Sequence, residues 1–278
     1  MVTFYDLNIK EITQETADAV SVVFTIPENL TDKFHFSAGQ YITLQKEIDN
    51  RMIRRAYSIC SSSASGEVRV AIKAVEKGVF STYATNHLKV GDALEVAAPE
   101  GRFLLEPKAN KNYIGFAAGS GITPILSMLK TVLETEPTAT FTLIYGNKSI
   151  ADTMFFDALN SLKEIYSERL NLHYIFSRAD VKNALRGRIN ESVTDFFIKS
   201  RYKETSFDAA YLCGPEPMIK EVSKTLAKNN ISKENIHFEL FTITEDEEST
   251  EQVKEGVTEI TVLLDDEKST FTMEQTDD

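Results

Sequence analysis

Two cysteines, Cys60 and Cys213, are all that the 278 residues contain. Two cannot build a disulfide framework, and their separation fits no metal-ligand spacing. They read as reduced thiols of a cytoplasmic protein. The chain also lacks an apolar run of roughly 18 residues, so no membrane-spanning helix and no membrane partner is expected. No charged segment followed by an apolar run opens it, so no secretory leader is expected either. A basic stripe with interleaved aromatics is missing, which argues against nucleic acid as a partner. The four histidines, His35, His87, His173 and His237, share no ligand spacing, and no metal site is expected. Gly119-Ser120-Gly121 does not have the spacing of a nucleophile elbow, so serine-hydrolase chemistry is not indicated.

What is present is an ordinary globular share of apolar residues, 42%, in a length that suits two domains. The net charge of −12 is unevenly placed. Residues 245–278 hold 13 acids and two bases, a net −11, which leaves −1 for everything before them. A stretch like Glu245-Asp246-Glu247-Glu248 reads as a solvated acidic linker.

The first hundred residues carry short β-branched runs: Val20–Ile26, Tyr41–Leu44, Met52–Cys60 and Val68–Ile72, divided by Gly, Asn, Ser and Asp. This spacing predicts a small antiparallel barrel, with one helix inserted from about Val79 to Leu88. The pattern changes near Pro107. Tyr113–Ala118, Phe141–Tyr145, Leu172–Phe176, Ala209–Leu212 and Ile236–Leu240 read as strands, with helical periodicity after Gly119 and from Phe155 to Tyr166. Strands alternating with helices predict right-handed crossovers and a parallel sheet. The expected fold class is therefore an antiparallel β-barrel followed by an α/β parallel-sheet domain. The expected divisions are residues 1–106, 107–243, a linker at 244–256, and a last piece at 257–278. That piece reads as two strands, Glu259–Leu264 and Ser269–Met273.

Three short motifs stand out: Arg55-Ala56-Tyr57-Ser58, Gly119-Ser120-Gly121-Ile122-Thr123-Pro124 and Cys213-Gly214-Pro215. On a strand, Arg55 and Tyr57 share one face while Ala56 and Ser58 share the other. The glycine loop follows an apolar strand and opens a helix, the context in which backbone can approach a pyrophosphate closely. Pro124 stands where a Rossmann fingerprint has its third glycine, and suits the first turn of a helix. Each motif also has a plain reading: an exposed amphipathic strand, a glycine turn, a buried thiol.

Together, with Gly39-Gln40-Tyr41, Gly78-Val79-Phe80-Ser81 and His237-Phe238-Glu239-Leu240-Phe241, they resemble the ferredoxin–NADP reductase family of flavoproteins over residues 1–241. The resemblance implies FAD on the barrel and NADPH on the α/β domain. Arg55 would pair with the flavin pyrophosphate, Tyr57 stack on its ring, and Ser58 hydrogen-bond at its N5. Ile72, Lys73 and Ala74, with the helix start Gly78, Val79, Phe80, Ser81 and Thr82, would hold the dinucleotide. Gly119, Gly121, Thr123 and Pro124, with Gly214 and Pro215, would take the nicotinamide nucleotide. Cys213 and Glu239 would lie by the nicotinamide and Phe241 would cover the flavin. Ser177-Arg178 resembles a 2′-phosphate site, with Arg186 and Arg188 as helpers. A solvated loop end explains that pair equally well.

The implied activity is NADPH-driven electron transfer through FAD to an iron–sulfur carrier serving an oxygenase such as phenylacetyl-CoA epoxidase. The alternatives are a free-standing NAD(P)H:flavin or cytochrome reductase, and a non-catalytic flavin-binding redox sensor. The last piece is similar to the opening of a plant-type [2Fe–2S] ferredoxin domain cut short, or is an ordinary β-tail. A cluster is expected only in a full-length form, since its cysteine ligands are absent here.

Overall fold

The computed structural model describes residues 2–241, 257–264 and 267–274. The chain divides into two compact units, Met1–Phe241 and Thr242–Asp278.

In the first unit, β1 (Phe4–Thr16), β2 (Ala19–Phe24), β3 (Tyr41–Ile48), β4 (Arg51–Ser58), β5 (Arg69–Lys73) and β6 (Ala93–Ala97) form one sheet in the order β4-β3-β6-β1-β2-β5. Every pairing in it is antiparallel. Its two edge strands meet just beyond Ser58, where Ile59 bridges Val70 and the Cys60 amide donates to the Arg69 carbonyl at 2.8 Å. That junction closes the sheet, and inward residues such as Leu7, Val22, Ile42, Leu44, Val70 and Val96 fill it. The inserted helix α1 (Val79–His87) follows β5, with Phe80 fully buried beneath it.

Sequence periodicity does not reveal β1 or β6. Along the 13 residues of β1 only Leu7, Ile9 and Thr16 are buried, and Asp6, Lys10, Glu11 and Glu15 break up the pattern. In β6 only the short alternation of Leu94 and Val96 marks the strand.

The second sheet contains β7 (Asn112–Ala118), β8 (Thr140–Asn147), β9 (Leu170–Phe176), β10 (Leu185–Arg186), β11 (Ala209–Gly214) and β12 (Ile236–Leu240). Its order is β10-β9-β8-β7-β11-β12, all parallel. Helices α2 (Ile122–Thr135), α3 (Phe156–Ile165), α4 (Glu191–Asp195) and α5 (Glu216–Lys228) join the strands. Both faces are buried, as parallel sheets require. Tyr113, Ala117, Tyr211 and Cys213 share one core with α2, while Ile114, Phe116, Ala210 and Leu212 share the other with α5. Helix α3 starts one residue later than periodicity suggests, because Phe155 takes a left-handed conformation (φ 58°).

The order of strands reverses between β7 and β11. From β7 the chain proceeds outward through β8 and β9 on one side, then returns to place β11 and β12 on the other. In open α/β sheets a ligand crevice forms beyond the carboxyl ends of the strands at such a point. The glycine motif follows β7 and the Cys213 motif ends β11, so both lie there.

In the second unit, β13 (Val257–Leu264) and β14 (Glu267–Glu274) pair antiparallel, with Val257 opposite Glu274 and Leu264 opposite Glu267. The linker expected at 244–256 lies outside the described residues, as does the end of the 257–278 piece.

Candidate functional site

Strand β4 supplies the first wall. Its register against β3 sets Ser58 opposite Tyr41, Tyr57 opposite Ile42 and Arg55 opposite Leu44. Arg55 and Tyr57 are half-buried, Ala56 is exposed between them, and Ser58 is buried. The Tyr57 ring lies 5.8 Å from that of Phe80 in α1, centroid to centroid, and burial pushes its phenol pKa well above the ordinary value. Ile72 is fully buried, so only its backbone can face a ligand, and Lys73 is engaged with Asp18 at 3.5 Å.

Helix α1 opens after Gly78 with no side-chain cap and no acid in its first turn. Ser81 is turned inward: its hydroxyl accepts from the Val75 amide at 3.3 Å. Thr82 is exposed. A Cβ on Gly78 would lie 2.5 Å from Val75, so this turn is closed to larger residues.

The second wall is the glycine loop. Gly119 to Gly121 form a single 3₁₀ turn leading into α2, which also lacks a side-chain cap and first-turn acids. Gly119 takes φ +54°, with open space where a side chain would point. Its carbonyl accepts from the buried Tyr145 hydroxyl at 3.0 Å. Gly121 is the opposite case: a Cβ there would sit 2.2 Å from the Cys213 carbonyl oxygen. Thr123 is buried and donates to the Ser120 carbonyl at 3.1 Å, and Pro124 is buried in the first turn of α2.

The third element is the carboxyl end of β11 and β12. Cys213 pairs in register with Glu239, and Gly214 with Leu240. Pro215 then precedes α5. Cys213 is fully buried, and that burial raises its thiol well above the usual range. The Ser58 hydroxyl of β4 donates to Glu239 Oε2 at 3.3 Å. Burial lifts the Glu239 carboxyl from 4.5 to about 7, against the opposing pull of the Ser58 hydrogen bond. Ser58, Glu239 and Cys213, far apart in sequence, thus gather at one junction. Phe241, just past β12, is exposed.

The basic residues form a separate wing two strands away. Ser177 and Arg178 follow β9, and their amides donate to the carbonyls of Asn147 and Lys148 at 2.9 Å each. The parallel pairing of Arg186 with Phe176 brings the 186–188 segment beside them. Arg178, Arg186 and Arg188 are all exposed, and among the described residues none of their guanidinium groups forms an ion pair.

Sequence reasoning noted Tyr41 within a motif without giving it a role, and did not select Tyr145 or Asn147. Tyr41 stands opposite Ser58, and its phenol is raised by burial and by Glu100 and Glu239 nearby. The Asn147 side-chain amide nitrogen, at the carboxyl end of β8, is buried without a hydrogen-bond partner. A polar residue ending a parallel strand was the signal available.

These features fit two dinucleotides. Two helix starts without caps or acids leave amide N–H groups for phosphate. The open space at Gly119 lies at the switch point, and the unpartnered Asn147 amide nitrogen lies at the carboxyl end of the neighbouring strand β8. Residues 6–104 match the model of the oxidoreductase FAD-binding domain, and residues 116–224 that of the oxidoreductase NAD-binding domain. The chain is 40% identical over 244 residues to a component of the 1,2-phenylacetyl-CoA epoxidase of Escherichia coli, covering 87% of this chain and 68% of that protein.

The chain belongs to the ferredoxin–NADP reductase family.

The reductase is also 31% identical over 239 residues to the ferredoxin reductase component of 3-ketosteroid-9-alpha-monooxygenase from Rhodococcus rhodochrous, covering 84% of this chain and 64% of that one. It spans about two-thirds of the length of these curated relatives. Its fold matches a ferredoxin NADP+ reductase from Neisseria gonorrhoeae with FAD and NADP bound, at a TM-score of 0.73 and 22% identity, over 86% of this chain and 99% of that chain. The reductase is thus an FAD- and nicotinamide-binding oxidoreductase. Among its described residues no helix is long and apolar enough to cross a membrane.

Proposed function

We propose that this reductase carries electrons from NADPH through FAD to an iron–sulfur carrier that serves an oxygenase. The observation that supports this most is the junction of Ser58, Glu239 and Cys213, where the flavin strand meets the switch point of the parallel sheet. FAD bound there supplies the chemistry: it accepts a hydride from the nicotinamide and gives up the two electrons singly.

The chain's own residues bind and orient. The barrel and its helix, within 1–106, take FAD, with Arg55 and the first-turn amides of α1, Val79 to Ser81, on the pyrophosphate. Tyr57 packs against the ring and Ser58 hydrogen-bonds at its reacting nitrogen. The α/β portion, within 107–243, takes the nucleotide on the Gly119–Pro124 and Gly214–Pro215 loops. Cys213 shapes the floor beneath the nicotinamide without acting as a nucleophile, since its thiol stays protonated. Glu239 can hold a proton near neutral pH and exchange it with the Ser58 hydroxyl. Phe241 covers the ring.

NADPH is favoured over NADH because Arg178 and Arg188 offer guanidinium groups that a 2′-phosphate can pair with. The carrier and the oxygenase follow from the relatives, which include an epoxidase component and a monooxygenase reductase component. An assay with added [2Fe–2S] ferredoxin tests the reading. NADPH oxidation should reduce the ferredoxin in proportion to reductase. Turnover with free flavin but none with ferredoxin would favour a free-standing flavin reductase instead.

A further inference from the structure

Helix α2 is buried on nearly every side, from Ile122 through Leu133. A helix with apolar residues all round must be covered all round. One side lies on the parallel sheet. The other meets the barrel, and there the sequence places two hydroxyls one helical turn apart. Ser127 is completely buried, and its hydroxyl donates to the Ser61 carbonyl at 2.7 Å. The Thr131 hydroxyl accepts from the Ser63 amide at 3.0 Å and donates to the Ser127 carbonyl at 2.8 Å. Between them Met128 packs against Gly39, where a Cβ would fall 2.5 Å from its methyl group.

The barrel end of this contact is itself held firmly. The Ser61 hydroxyl donates to the Glu67 carbonyl at 2.5 Å and accepts from the Arg69 amide at 3.1 Å. Ser61 lies three residues past Ser58, just beyond the end of the strand that carries Arg55 and Tyr57. Ser127 lies four residues past Thr123, on the helix that the glycine loop opens. Two hydroxyls therefore connect the segment that follows the flavin strand to the helix that the nicotinamide loop opens, by a short path through buried and half-buried groups.

We propose that Ser127 and Thr131 are positioning residues, a two-hydroxyl latch that fixes the glycine loop against the flavin strand at the spacing hydride transfer needs. The proposal rests on the proposed function above. Hydride transfer depends on near-contact of donor and acceptor, so a small misplacement slows it far more than it weakens binding. Apolar contact is not directional, whereas these hydrogen bonds are, so they add a fixed register to the packing.

The test compares Ser127→Ala, Thr131→Val and the double variant with wild type and with Ser127→Thr, which keeps a hydroxyl. Hydrogen exchange on the flavin-free protein gives the first readout. Loss of the Thr131 acceptor should speed exchange of the Ser63 amide by about tenfold while amides of β7 and β11 keep their protection. In the FAD-loaded protein, flavin content and the Kd for NADP+ should stay within twofold of wild type. The limiting rate of flavin reduction by NADPH should fall at least tenfold in the double variant and recover in Ser127→Thr. An unchanged reduction rate in the double variant would overturn the latch. So would a parallel fall in flavin content, NADP+ affinity and rate, which marks a merely structural contact. A wild-type protein that binds no flavin overturns the proposed function, and the latch with it.

Discussion

The Ser58 hydroxyl and the Glu239 carboxylate, 181 residues apart, meet at 3.3 Å. One belongs to the barrel strand that ends its sheet, the other to the edge strand of the parallel sheet. Their contact is half-buried, and it is where the two halves of the reductase share a titratable group. The burial that creates the junction also keeps the Glu239 proton in place up to about pH 7.

A dependence of stability on pH follows. Folded Glu239 titrates at about 7, against an ordinary 4.5. Between those values the folded state binds the proton more tightly than the unfolded chain does. The Glu239 share of stability is therefore fully present below 4.5, declines as pH rises toward 7, and stays lost above it. Thermal midpoints of wild type and Glu239→Gln, taken across this range, should diverge with rising pH, the wild type losing ground. A constant difference would mean that Glu239 is not held protonated at the junction.

The two glycines of the loop should behave differently. Gly121→Ala forces a methyl group toward the Cys213 backbone, which cannot yield as a side chain would, and overpacking of this kind costs about 1–3 kcal/mol. Gly119→Ala meets no atom within 4 Å but must keep a left-handed backbone, at about 1–2 kcal/mol. Both variants should melt below wild type, and Gly121→Ala should also lose nucleotide binding. Normal nucleotide affinity in Gly121→Ala would show that the close approach to Cys213 is dispensable.

Flavin identity tests the pyrophosphate assignment. Mass spectrometry of flavin released from the purified protein should find FAD, and Arg55→Ala should retain less of it. FMN as the only flavin would remove the reason for an uncapped helix start beside Arg55.

Nucleotide choice tests the basic wing. Arg178→Ala should lower the preference for NADPH over NADH by about tenfold, the worth of one charge-assisted hydrogen bond. Reduction by NADH should be unaffected. Rapid mixing with each nucleotide measures both rates. Faster reduction of wild type by NADH would assign Arg178 to an ordinary loop end.

Much of this was legible in the sequence because function here sits where chain geometry is unusual. Gly119, Gly121 and Gly214, with Pro124 and Pro215, mark strand-to-helix turns that only a few residue types tolerate. Alternation of strand and helix gave the parallel sheet for the same reason. Strand β1 was not legible, since its solvent face carries charges and only Leu7 and Ile9 mark its inner face. Tyr145 looked like core and is core, yet its hydroxyl fixes the Gly119 carbonyl. Ser127 and Thr131 fall within a helix whose periodicity explains their neighbours completely. Their partners at Ser61 and Ser63 are more than 60 residues away, and no local pattern can display such a pairing.

The most direct test of the account is anaerobic rapid mixing of the FAD-loaded reductase with NADPH, in protio form and deuterated at the transferred position. The oxidised-flavin band should bleach in a phase that slows with deuterium, and Ser58→Ala should slow that phase on the order of a hundredfold, as loss of a hydrogen bond at a reacting atom does. A flavin that stays oxidised under excess NADPH, or a Ser58→Ala variant that bleaches at the wild-type rate, would contradict a hydride-transfer site built where Ser58 and Glu239 meet.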